Sequence, residues 1–334
     1  MSDGGASPAG TGGATSAAGT GGKPAVCDCA AGSYCQDGAN KCRSCADFAR
    51  FEFAAPQKLA TLSQTPDGHE RFPRAGSSGA ALFYRSGTPG AERIWYAANP
   101  VSGVGKKLDL PELPAMSAPL LAPGVLPQNF FFDYLETPDG GPNRRHLMMA
   151  TWSGGTLTAA VAVPAPLNGT GSDFSIALAP GAARAYWMST RNGGARAELL
   201  SASMVDTTAT EPVVVDLQVQ AGSAKCPWLG GAPGSWEDDA TPWLNTAGTL
   251  LLFRSQSVDN HCQPNDSGAF DLYAAPLSKD TGLPTAAGVP LSALNSTGGG
   301  STQTDPSLSP DSCLIYFASD DGGPDTDLYR AARN

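Results

Sequence analysis

Three carboxylates recur at one place in a repeated sequence pattern, and their convergence is the first chemistry this chain offers. When the repeats are aligned on a four-residue strand end, Glu70, Asp173 and Asp239 share a position with Ala118 and Gln303, three residues before each inner strand. Carboxylates meeting at a channel mouth could bind a cation or polarise a sugar. Pairs of them cleave glycosidic bonds when their separation suits retaining or inverting chemistry, and a sequence gives no such separation. The plainer reading is that each accepts hydrogen bonds from the backbone of its own turn.

The second candidate lies in the two longest loops, residues 221–238 and 256–269, which hold Trp228, Trp236, Glu237, Asp238 and His261. Long loops on a rigid scaffold are where binding residues concentrate. Tryptophan beside carboxylates suits a sugar or peptide platform, and the structural alternative is that both indoles pack the loop onto the scaffold. His69, His146 and His261 fall in different repeats without metal-ligand spacing, so no metal site is expected. No G-x-S-x-G elbow is present, and no catalytic residue and no cofactor are assigned.

The elements that must position these residues are short strands. The strand ends read FYRS at Phe83 to Ser86, FFDY at Phe131 to Tyr134, YWMS at Tyr186 to Ser189, LFRS at Leu252 to Ser255 and YFAS at Tyr316 to Ser319. A turn and a further strand follow each, beginning at Ile94, Leu147, Glu198, Asp271 and Asp327. The repeats are spaced widely enough for four strands each, and outer strands fit at Leu108 to Leu110, Leu157 to Val163, Val213 to Val219 and Val289 to Leu294. Five units thus have four outer strands, and Lys58 to Leu62 supplies the fifth, closing a ring and removing its exposed edges. The expected fold class is all-β, a β-propeller closed by an N-terminal strand. Heavy use of glycine (40) and proline (28) agrees with many tight turns.

Two stretches carry a family resemblance. TPWLNTAGTLLLFRS (Thr241 to Ser255) and DPSLSPDSCLIYFASDDGG (Asp305 to Gly323) resemble the TolB-like, WD-like propeller repeat with its P-x-x-S-P-D-G core, and Ser312 departs from it where the family has glycine. The likeness covers residues 51 to 332, is strong in the last repeat and weak in the second. It implies six blades where five are visible, so the count stands open between five-bladed and six-bladed.

Residues 1–25 are almost entirely Gly, Ala, Ser, Thr and Pro, a composition that cannot bury enough apolar surface to order itself. Such a tether reaches roughly 25 to 30 Å. It resembles the tethers of secreted lipoproteins in high-GC bacteria such as myxobacteria, which implies a lipid anchor lost from this sequence. Residues 26–46 form a disulfide-rich module and residues 51–334 the propeller. With five cysteines between Cys27 and Cys45 and little apolar core around them, an oxidising, extracytoplasmic location is expected: outer membrane-tethered, periplasmic or secreted. Net charge is −10 without a basic cluster, which excludes nucleic acid as a partner, and no apolar run is long enough for a transmembrane segment.

Chain direction pairs the remaining cysteines. Cys226 and Cys262 lie in the two long loops on one face, the top, and are expected to bond. Cys45, just before the closing strand, and Cys313, just after the hairpin of the last blade, both fall at the bottom and should form a second bond that clamps the ring. Cys27, Cys29, Cys35 and Cys42 are left with three possible pairings, Cys27–Cys35 with Cys29–Cys42 preferred. The function expected is non-enzymatic binding of a protein or glycan through the top-face loops, with a five-bladed glycoside hydrolase as the alternative.

Overall fold

The structure, a computed structural model of the full chain, describes residues 29–30, 32–36, 41–45, 52–63, 69–76, 81–88, 92–108, 116–121, 128–136, 144–153, 156–179, 183–191, 197–205, 208–221, 224–227, 241–256, 261–263, 269–295, 301–321, 323 and 325–334. Those residues contain strands and turns and no α-helix, hence no helix long and apolar enough to cross a membrane. The strands form a five-bladed β-propeller. The inner strands run Arg71–Ala75, Met116–Leu121, Asp173–Leu178, Trp243–Leu244 and Gln303–Leu308. Each pairs antiparallel with a second strand (Leu82–Ser86, Gln128–Glu136, Arg184–Ser189, Leu250–Gln256, Leu314–Ser319), which in turn pairs with a third (Arg93–Ala97, Arg144–Ser153, Glu198–Val205, Phe270–Pro276, Asp327–Ala332).

The second strands read as unbroken apolar runs because both faces of each are covered by a neighbouring blade. Side chains alternate across a strand, so Ile315 and Phe317 pack toward blade 4 while Tyr316 and Ala318 pack toward blade 1. Five such clusters, one between each pair of adjacent blades, make up the core.

Closure of the ring rests on a bond that occurs five times. After each two-residue outer strand a buried apolar residue donates its amide to a carbonyl of the third strand: Leu108 to Ile94, Val163 to Leu147, Val215 to Leu199 and Leu291 to Leu272, at 2.8 to 2.9 Å. In the fifth blade the donor is Leu59, bonded to Leu328 at 2.8 Å. The closing strand is therefore N-terminal, as expected, but it is Gln57–Lys58, with Lys58 opposite Tyr329 and Gln57 opposite Arg330. Leu59 and Leu62, read from the sequence as strand residues, anchor the turn that follows it, where the Leu62 amide bonds the Leu59 carbonyl.

The outer strands Val161–Ala162, Val213–Val214 and Val289–Pro290 are likewise shorter than their apolar runs, and that of blade 1 is Lys106–Lys107, which precedes the expected Leu108 to Leu110 and ends at Leu108. In three blades a polar side chain continues the ladder beyond the knob. Asn168 and Asn295 each accept from and donate to the backbone of Leu147 and Leu272, and Ser63 accepts from Leu328.

Two hairpins are fastened to this ring. Ser33–Gln36 and Lys41–Ser44 pair near the N-terminus, with Cys29 bonded to Cys42. Cys45 is bonded to Cys313 with their α-carbons 4.9 Å apart, which ties the hairpin to blade 5. Cys27 and the Cys35 side chain, the other half of the preferred pairing, lie outside the described residues. The second hairpin, Gln218–Ala221 with Ala224–Pro227, was not expected: residues 213–219 had been read as one outer strand. Its Val219 bridges Gly288 in parallel, and its Cys226 is bonded to Cys262. A Cβ at Gly288 would stand 2.6 Å from the Phe253 ring, so only glycine admits the hairpin this closely.

Candidate functional site

Each described inner strand of blades 1, 2, 3 and 5 shifts register by one bulge, between Arg71 and Arg74, Ser117 and Leu120, Phe174 and Ala177, and Thr304 and Ser307. At the bulge the backbone turns left-handed without glycine: φ is 53° at Phe72, 53° at Ser175 and 58° at Asp305, and the matching residue of blade 4, Thr241, has 37°. Proline follows at 73, 242 and 306, where the break in pairing removes the need for its missing N–H. Bulges re-aim side chains, and strained backbone of this kind clusters at functional sites.

What these bulges gather is a buried polar cluster where the inner strands meet around the axis. Arg74, on the inner strand of blade 1, is 1% exposed. Its Nη1 donates to the carbonyls of Pro73, Asp305 and Pro306 at 3.2 to 3.4 Å, and its guanidinium lies 5.2 Å from the centroid of the Trp243 ring of blade 4. Burial pulls its pKa down to about 10, against Asp305 and Asp133, which both favour its charge. Asp133, from the second strand of blade 2, also faces Arg145 at 3.7 Å, and Arg145 sits over Phe174 of blade 3. An alternating chain of charges and rings thus draws on all five blades. Asp305 Oδ2 accepts from the Phe72 amide and the Thr304 hydroxyl. Asp305 Oδ1, Ser307 Oγ, Thr241 Oγ1, Trp243 Nε1 and Arg74 Nε carry no hydrogen bond. Buried polar groups are normally satisfied, and five such unsatisfied atoms among the described residues fall at the axis, others lying at Arg85 Nε, Ser255 Oγ and Gln303 Oε1.

The carboxylates chosen from the sequence sit elsewhere. Glu70 and Asp173 do occupy equivalent positions, opposite the strand-end serines, and Gln303 matches them. In blade 2 the matching residue is Met116, opposite Tyr134, and Ala118 stands two residues further on. Asp173 is fully buried and takes up the Gly169 amide, the Trp187 indole N–H and Arg191 at 2.7 to 3.0 Å. Glu70 is 1% exposed and accepts from Ser86 at 3.0 Å, and together with burial it raises the pKa of Tyr84. Gln303 donates to Ser301 and Ser319. Both carboxylates are thus held by turns and strands of their own blades.

Trp228, Trp236, Glu237, Asp238 and Asp239 lie outside the described residues. His261 is exposed and lies next to Cys262, while His69 is near the Thr326 hydroxyl at 3.4 Å. Among the described residues no group of three His, Cys, Asp or Glu has the arrangement of a metal site.

No family model and no curated relative matches the chain. Solved structures do match in fold. An α-L-arabinofuranosidase from Lactobacillus brevis aligns over 83% of this chain and 94% of its own with 8% identity and a TM-score of 0.51. A GH43_1 enzyme from Xanthomonas citri aligns over 84% and 90% with 14% identity and a TM-score of 0.49. A putative TolB from Agrobacterium tumefaciens aligns over 81% and 78% with 12% identity and a TM-score of 0.42. At these identities what the chain shares with the arabinofuranosidase is its fold, the β-propeller.

Proposed function

We propose that this protein is an exported propeller that engages a glycan. The observation that carries the reading is the axial cluster: two carboxylates from separate blades, an arginine and an indole, which with Ser307 and Thr241 leave five polar atoms unused. Convergent donors and acceptors beside an aromatic face are what sugar hydroxyls and ring C–H groups require. The fold shared with an α-L-arabinofuranosidase supports a glycan as the ligand class. The disulfides support an oxidising compartment.

Hydrolysis is the form of engagement to which a carboxylate pair lends itself, and Asp133 and Asp305, whose charges both act on Arg74, are the pair we assign to it. Recognition without turnover is the second reading, favoured by burial: both carboxylates are 1% exposed, and a group that cleaves a polysaccharide has to meet it. In that reading the glycan or a protein partner is held at the loops of blade 4, to which Trp228, Trp236, Glu237, Asp238, Asp239 and His261 belong, with Glu70 and Asp173 supporting the same face.

Binding and release of reducing ends over a panel of arabinose-containing and other polysaccharides test the proposal. The expected result is retention of at least one glycan by the wild-type protein. Loss of turnover with retained binding in Asp133→Asn and Asp305→Asn assigns hydrolysis, and binding without turnover assigns recognition. A folded wild-type protein that binds no glycan of the panel refutes the glycan proposal in both forms.

A further inference from the structure

The ring is closed by very little backbone. Gln57–Lys58 gives two paired residues, supplemented by an isolated bridge between Phe53 and Arg333, by the amides of Leu59 and Ala54 on Leu328 and Ala332, both at 2.8 Å, and of Asn334 on Glu52 at 3.1 Å, by the side chains of Ser63 and Gln57, which accept from the Leu328 amide and Arg330, and by an exposed ion pair between Lys58 and Asp327. Phe53, Leu59 and Leu62 are the apolar anchors of this segment. Just upstream, Cys45 is joined to Cys313, which leads into the second strand of the same blade. Cys313 also accepts the amide of Arg333 through its carbonyl, and Arg333 lies between the rings of Tyr34 and Phe53. One disulfide therefore joins the hairpin, the closing segment and both chain ends of blade 5.

The two sulfurs differ in access: Cys45 is fully buried, whereas Cys313 is partly exposed. We propose that Cys45–Cys313 is a redox-sensitive latch on ring closure, opened by a dithiol reductant. A thiolate of the reductant attacks Sγ of Cys313, the Cys45–Cys313 bond breaks, and Cys45 leaves as a thiolate that takes up a proton. The second thiol of the reductant then displaces Cys313 from the mixed disulfide. Two protein thiols form, and the dithiol is oxidised to its disulfide. With the latch open, the closing segment is held by its hydrogen bonds, its ion pair and three apolar anchors, and it exchanges with an open state that exposes the edge of Asp327–Ala332.

Hydrogen exchange on the full chain decides the matter. In Cys313→Ser, whose other disulfides are left oxidised, the amides of Ala54 and Leu59 should exchange faster by about a hundredfold, the equivalent of a typical disulfide's contribution. The inner strand Asp173–Leu178 should keep its protection. Low concentrations of dithiothreitol added to the wild-type protein, followed by alkylation and mapping, should modify Cys313 together with the same loss of protection. This second arm stands whether or not the variant folds. Unchanged exchange of residues 52–63 once Cys45 and Cys313 are mapped as free thiols overturns the proposal.

Discussion

The two hairpins attached to the ring are each held by a disulfide, and the two bonds do different work. Cys45–Cys313 joins residues 268 apart and sits beside the short closing strand; Cys226–Cys262 joins residues 36 apart within the surroundings of blade 4. The first hairpin meets the ring at the buried Cys45 and where Arg333 lies over Tyr34. The second is built into it: Val219 and Cys226 are fully buried in the core between blades 3 and 4, and Gly288 exchanges two backbone bonds with Gln218 and Gln220. The first disulfide guards the closure of the ring, and the second fastens a hairpin that the core already holds.

The largest effect that can break this comparison is removal of the long-range bond. On the loop-entropy model the double variant Cys45→Ser/Cys313→Ser should lose about 5 kcal/mol, against about 4 kcal/mol for Cys226→Ser/Cys262→Ser, both read from urea midpoints. Only the first should also aggregate, through its exposed edge. Equal aggregation by the two variants would erase the distinction.

Arg74→Leu should cost about 3 to 5 kcal/mol, because it leaves Asp305 and Asp133 buried without their shared cation. It touches neither disulfide, so chemical denaturation should show it weakening the ring whether or not Cys226–Cys262 is intact. Gly288→Ala should cost about 1 to 3 kcal/mol by forcing the second hairpin off Phe253. It should also increase proteolysis between residues 218 and 227, leaving the N-terminal hairpin untouched.

The smallest effect is alkaline. Burial raises the pKa of Tyr84, Tyr186, Tyr273 and Tyr316 above the ordinary 10 and that of Tyr329 to about 12. A raised folded-state pKa gives stability that is present below pH 10 and lost as pH rises through the folded values. Arg74, lowered from 12.5 to about 10, acts in the opposite sense over the same range, but it is one group against five. Urea midpoints should therefore hold up to pH 10 and fall between pH 10 and 12.

The propeller repeat was legible because each strand end is a largely apolar run closed by serine or tyrosine, a pattern that packing on both faces imposes, while the resemblance to a six-bladed family left the count open between five and six until the structure showed five. The outer strands were legible only approximately. Leu59, Leu108, Val163, Val215 and Leu291 look like strand residues, yet each is a single buried knob that ends its strand with one hydrogen bond. Glu70 and Asp173 could be aligned, but alignment does not reveal the donors that surround them. Arg74 and Asp305 lie inside the inner strands, where the alignment of the residues preceding those strands does not reach. The signal for them is the X-Pro step recurring inside those strands, at Phe72-Pro73, Thr241-Pro242 and Asp305-Pro306, which marks the bulge that turns side chains to the axis. The hairpin at 218–227 had no such mark, since its valines continue the alternation of the preceding strand.

Titration calorimetry against the glycan panel, run in parallel on the wild-type protein and the two disulfide variants, tests the account most directly. The account predicts that wild type binds a glycan and that the folded fraction of Cys45→Ser/Cys313→Ser binds it as wild type does; binding at the axis leaves Cys226→Ser/Cys262→Ser unaffected, and binding at the loops of blade 4 weakens it at least about tenfold with the ring still folded, since a rigid platform costs less to order. Absence of binding by the wild type, or equal loss in both variants, contradicts it.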